Sequence, residues 1–256
     1  LVNYIAEQFS VSPRILLAVL EYLSGGLTQA NLPETVDDFL LYRTDNDHRA
    51  LALQLVQLAN TLNNGYYGWR TGALSEFSRQ DSSLERPDPW QNAATVALQF
   101  TFSQFLDNQA YYRAIHADGI HRTYADLFGD PWADPGVHIP GSLTQPALLL
   151  PFPAGKTWAY TGGPHTGWGS GAPFAAVDFA PPGSAAGCGI SSEFSTAAAD
   201  GIVVRTGPGY LSLDLDGDGD DRTGWVLFYL HLSNFEMIKE GTVVKAGAPL
   251  GHPSCE

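Results

Sequence analysis

Residues 130–155 read DPWADPGVHIPGSLTQPALLLPFPAG, and this stretch decides the fold because two different textures meet across it. Prolines stand at 131, 135, 140, 146, 151 and 153, and neither a helical nor a strand period runs between them. We place a proline-rich linker at 130–147, a helical domain at 1–129 and a β domain at 148–256. The expected class is therefore α+β, an all-α N-terminal domain followed by an antiparallel β domain.

Upstream, Ser12-Pro13 reads as an N-cap with proline at the first helical position, and Gly25-Gly26 as the stop. Arg14 to Ser24 between them is apolar almost all round, which predicts an interior helix. A second helix is expected over Val36–Tyr42. A third is expected over His48–Leu62, with Leu51, Leu55, Leu58 and Leu62 on one face and Asn63-Asn64-Gly65 as its terminator. Trp90–Leu106, Asn108–Ala117 and Thr123–Phe128 complete the helical half.

Downstream, short β-branched and aromatic runs alternate with glycine turns: Gly201–Thr206, Tyr210–Leu215, Trp225–His231 and Thr242–Lys245. No repeat with a period of 20 to 50 residues is visible, which sets solenoids aside.

Composition bounds the function. Among 256 residues, 27 acids face 13 bases for a net charge of −14, and neither half of the chain is basic. A surface that tracks phosphates needs clustered Lys and Arg, so nucleic acid and anionic membranes are not expected partners. The longest apolar runs, such as Ile15–Leu20, fall far short of the roughly 20 residues of a membrane span. The chain opens on Leu1 with no basic n-region and apolar h-region, so it reads as a processed or cropped piece whose signal peptide lies elsewhere. Cys188 and Cys255 lack a CxxC spacing; a single disulfide or two idle thiols are both open.

Chemistry concentrates in the β half. Gly162-Gly163-Pro164-His165, Ala176-Val177-Asp178-Phe179, Ala199-Asp200-Gly201-Ile202-Val203-Val204, Tyr229-Leu230-His231-Leu232 and Gly241-Thr242-Val243-Val244, with Gly247 and Gly251, follow in one order over about 90 residues. Together they resemble the lysostaphin and staphylolysin family of zinc endopeptidases over roughly Leu148–Glu256. The resemblance implies a two-sheet β fold, a secreted or cell-envelope location, and hydrolysis of peptide cross-links in bacterial peptidoglycan by a metal-activated water. It also implies Zn2+ as cofactor, His165 and Asp178 as metal ligands, and His231 as the histidine that manages the proton or the oxyanion. The family's third ligand belongs to a His-x-His pair that this sequence does not contain. It stops at Ser254-Cys255-Glu256, so a truncated chain is the expectation and a weak or inactive enzyme its consequence. His252, in a Gly-His-Pro turn, reads as an exposed histidine rather than a substitute ligand. A degenerate member that binds the wall or activates another hydrolase is the alternative, as is a bifunctional enzyme with a glycan-cleaving helical domain.

Three further features stay open. Trp158, Tyr160, Trp168 and Phe174 suit either a peptide groove or ordinary packing. Asp214 to Asp221 resembles the start of an EF-hand loop, but Trp225 stands where the bidentate Glu is needed, and the alternative is a hairpin tip. Glu21, a lone acid in the Arg14–Ser24 helix, distantly resembles the catalytic glutamate of lytic transglycosylases and lysozymes; the competing reading is an acid at the domain surface or bonded to a helix end.

Overall fold

The computed structural model describes residues 1–30, 51–133, 142–168, 174–183 and 189–255. The helix expected over Val36–Tyr42, the start of the one expected from His48, and residues 134–141 of the proline-rich linker lie outside them. By internal contacts the chain divides into two units, residues 1–134 with 163–176, and residues 135–162 with 177–256.

The first unit is helical. A short helix α1 spans Val2–Gln8, which the patterning did not suggest. Helix α2, Pro13–Ser24, begins where expected, but the Ser12 hydroxyl makes no capping bond. Its start rests instead on the preset φ of Pro13 and on the Ser12 carbonyl, which accepts the amides of Ile15 and Leu16. The stop is Gly25, whose φ of 66° is a left-handed conformation that glycine adopts without steric cost. Helix α3, Leu51–Thr71, corrects the sequence reading: it runs nine residues past Leu62, straight through Asn63-Asn64-Gly65. Tertiary contacts outweigh the local breakers there. The buried Asn63 amide donates to the Phe9 carbonyl at 2.8 Å, and Gly65 lets the backbone of Ala97 approach so closely that a β-carbon would sit 2.8 Å from its Cα.

A hairpin of β1, Phe77–Ser78, and β2, Leu84–Glu85, follows. Helix α4, Ala93–Phe105, starts three residues after Trp90 because the Asn92 side chain accepts the Thr95 amide as its cap. Asp107 caps α5, Asn108–Ile115, in the same way through Ala110, and α6 spans Ile120–Phe128. Leu16, Val19, Leu55, Leu58, Val96 and Phe102 are fully buried in the common core.

The second unit is built of antiparallel β structure. Strand β3 spans Ala159–His165, with residues 159–162 in this unit, and pairs with β4, Ala176–Ala180, with residues 177–180 in this unit; β5 is Ser195–Thr196. The main sheet contains β6, Gly201–Gly207, β7, Gly209–Asp214, β8, Val226–Leu232, and β9, Val243–Val244, in the order β8-β7-β6-β9. β10, Pro249–Gly251, pairs with β5. Every residue of β7 is buried, so its two faces are both covered. Leu211 and Leu213 join Val203, Val244 and Leu250 in one cluster, while Tyr210 stacks on Phe228 under the Arg205 guanidinium. All four expected strands of this sheet are present; β3, β4, β5 and β10 are too short or too glycine-rich to show a period of two.

Candidate functional site

His165 closes β3 and Asp178 stands in the middle of the neighbouring β4, both exposed. The Nδ1 atom of His165 lies 2.8 Å from the Thr166 carbonyl. A carbonyl only accepts, so Nδ1 carries a hydrogen; in the neutral ring this leaves the lone pair on Nε2, the arrangement in which a second partner fixes a metal-binding tautomer. The carboxylate of Asp178 lies over the α-carbon of Gly162, where any side chain would collide with Oδ2. Glycine at 162 is thus the condition for that carboxylate's position.

His231 stands near the end of β8, exposed, with a φ of 62°. The pairing of β7 with β8 shows why. Gly209 faces Leu232 and Tyr210 faces Leu230, so His231 is the extra residue of a β-bulge. A bulge re-aims one side chain out of the alternating pattern, and a left-handed non-glycine costs about 1–2 kcal/mol that the surroundings must offset. Here they do so through the Ser254 amide, which donates to the His231 carbonyl at 2.8 Å, and through the bridge between Leu232 and Pro253.

His252 departs from its expected exposure: it is 6% exposed. Its Nδ1 lies 3.0 Å from the Glu193 carbonyl and its Nε2 3.2 Å from the Glu236 carboxylate. The Phe194 ring is 3.9 Å away and the Phe235 ring 6.0 Å. With both nitrogens engaged, it is a packed structural histidine. Its partners are far apart in sequence, which is why spacing alone did not reveal them.

Among the described residues, Asp214, Asp216 and Asp218 form the one group of three His, Cys, Asp or Glu whose ligating atoms lie within 4.8 Å of one another. They stand at the turn between β7 and β8. The buried Asp214 accepts the amides of Asp216 and Gly219, and Asp218 accepts the Thr223 hydroxyl. The Asp216 carboxyl is raised above its ordinary value, first by its hydrogen bond with Asp214. The loop is the tip of the β7–β8 hairpin.

The aromatic candidates separate. Trp158 stacks on Phe152 at 5.0 Å and Tyr160 packs on Phe179 while remaining 56% exposed. Trp168 stacks on Tyr67 of α3 and donates to the Gln8 carbonyl, so it packs within the first unit, and Phe174 is 64% exposed. Glu21 accepts the Leu27 amide at 2.7 Å and the Thr28 amide and hydroxyl, which ties the loop after α2 to that helix's last turns. Cys255 is disulfide-bonded; Cys188, the chain's other cysteine, lies outside the described residues. No helix among the described residues is long and apolar enough to cross a membrane.

The family described as LasA, N-terminal domain, matches residues 1–142. No curated protein and no solved structure matches the chain.

Proposed function

The chain belongs to the family of the LasA N-terminal domain, and from that premise we propose that it is a secreted peptidoglycan-degrading zinc metalloendopeptidase whose catalytic residues lie beyond the matched segment. His165 and Asp178 would hold the metal, and His231 would act on the proton or the developing oxyanion at the scissile amide.

His165 and Asp178 are two donors of the kind zinc takes, one short of a catalytic set. An imidazole with Nε2 as its lone-pair atom and a carboxylate are both zinc donors at about 2.0–2.2 Å, and a catalytic site takes three protein donors. Bound there, the ion would supply Lewis acidity and bring the pKa of water toward about 7. The remaining work belongs to the chain. Asp178 presents a carboxylate over the backbone of Gly162, and His231 offers an imidazole to move a proton between water and the leaving amine.

The observation that carries this reading is the left-handed bulge at His231. A regular strand would place this histidine in the ordinary alternation at no conformational cost. Bulges and strained non-glycine residues concentrate where a side chain must be aimed.

The test is metal analysis and peptidoglycan digestion with the full-length protein. Stoichiometric zinc, with new amine termini released from cross-linked wall, is expected. His165→Ala and Asp178→Ala should lose the metal, while His231→Ala should keep it and lose the hydrolysis. A protein that binds wall without zinc or cleavage would instead be a non-catalytic wall binder.

A further inference from the structure

Two left-handed non-glycine residues of the second unit, His231 and Glu236, are linked through the segment 252–254, whose His252 carries no role in the proposed reaction. Glu236, at φ 56°, turns its carboxylate to His252 Nε2, and the Glu193 carbonyl lies at Nδ1 on the other side of the ring. Both partners accept, so the ring satisfies them together only when both its nitrogens carry hydrogen. Phe194 and Phe235 pack against that ring.

The backbone on either side of this anchored side chain reaches the site. The His252 carbonyl accepts the Ser233 amide at 2.7 Å, the Pro253 carbonyl accepts the Ser191 amide at 2.8 Å, and the Ser254 amide donates to the His231 carbonyl at 2.8 Å. Residues 252–254 are thereby held between the 191–193 loop and the end of β8. The buried side chain of His252 bonds Glu193 and Glu236.

We propose that His252 is a positioning residue: its imidazole, fastened to Glu193 and Glu236, fixes the 252–254 segment whose pairing with residues 231–233 keeps His231 in its left-handed bulge. That His231 acts on substrate rests on the function proposed above; that His252 holds its backbone does not.

Amide hydrogen exchange on the full chain tests this. In His252→Ala the Ser233 and Ser254 amides should exchange at least about tenfold faster, while Leu211 and Leu213 of β7 keep their wild-type rates, the signature of local rather than global opening. Glu236→Ala should show the same pattern more weakly, and Glu236→Gln, which retains an acceptor for the ring, should restore the slow rates. If His252→Ala does not fold, the two Glu236 variants decide. Unchanged exchange at Ser254, or an equal acceleration across β7, would overturn the proposal. Where hydrolysis is measured, kcat should fall with KM retained. Because exchange is read without substrate, a protein that proves inactive defeats the peptidase reading and leaves this one to be judged separately.

Discussion

The indole Nε1 of Trp168 donates to the carbonyl of Gln8 at 2.9 Å, a hydrogen bond between residues 160 positions apart, and the same ring stacks on Tyr67 at 6.2 Å. Residues 163–176 thus belong with the helices of the first unit, although in sequence they lie inside the β half. Trp168→Phe keeps the ring contact and leaves the Gln8 carbonyl without this donor, which should cost about 1 kcal/mol; Trp168→Ala should cost about 2 kcal/mol or more. Urea unfolding followed by helical circular dichroism reports on this unit. Equal midpoints for Trp168→Phe and wild type would mean the bond contributes nothing.

At Gly65 two effects oppose each other. Alanine is the better helix former by about 1 kcal/mol. Its methyl group, however, would meet the backbone of Ala97 at 2.8 Å and Phe100 at 3.1 Å, and overpacking of this kind costs about 1–3 kcal/mol. Gly65→Ala should therefore lower the unfolding midpoint despite its propensity. A rise would show that α3 and α4 do not approach each other this closely.

Glycine adopts the conformation of His231 freely and alanine does not. His231→Gly should accordingly be more stable than His231→Ala by about 1 kcal/mol, the reverse of the usual order in a strand. Thermal denaturation of the pair reads this directly. If the alanine variant is the more stable, the bulge is not strained, and the observation behind the proposed function loses its force.

Acid should loosen the turn between β1 and β2. The Asp81 carboxyl is lowered to about 2, first by the Ser83 hydroxyl and amide, then by the Asn108 amide and the Arg79 charge. A carboxyl depressed in the folded state adds stability that is present above its unfolded value of about 3.9 and is lost as pH falls through the folded one. The Asp81 contribution should therefore disappear between about pH 4 and 2. Carboxyl-carbon NMR should show a midpoint near 2 in wild type and a higher one in Ser83→Ala; a wild-type midpoint near 4 would refute the assignment.

How much was legible follows from where each signal lies along the chain. Pro13 and Gly25 act through their own φ preferences, so α2 could be bounded from twelve residues. Asn63-Asn64-Gly65 carries the same kind of local signal and was misread, because the contacts that overrule it come from Phe9 and Ala97. Asp178 and His165 were visible as residue types in motifs, whereas the roles of Gly162 and of the Thr166 carbonyl appear only with coordinates. His252 was expected to be exposed for the same reason. Phe194, Phe235 and Glu236, which bury and bond it, leave no periodic trace in sequence.

By itself, then, the sequence determined the change from helices to antiparallel strands and the four strands of the main sheet. Each of these depends on patterning within about ten residues. Tertiary structure alone decided the length of α3, the placement of Trp168 among the helices, the burial of His252 and the left-handed backbone of His231. All four arise from bonds and packing between distant segments, whose free energies exceed the local preferences of the residues that make them.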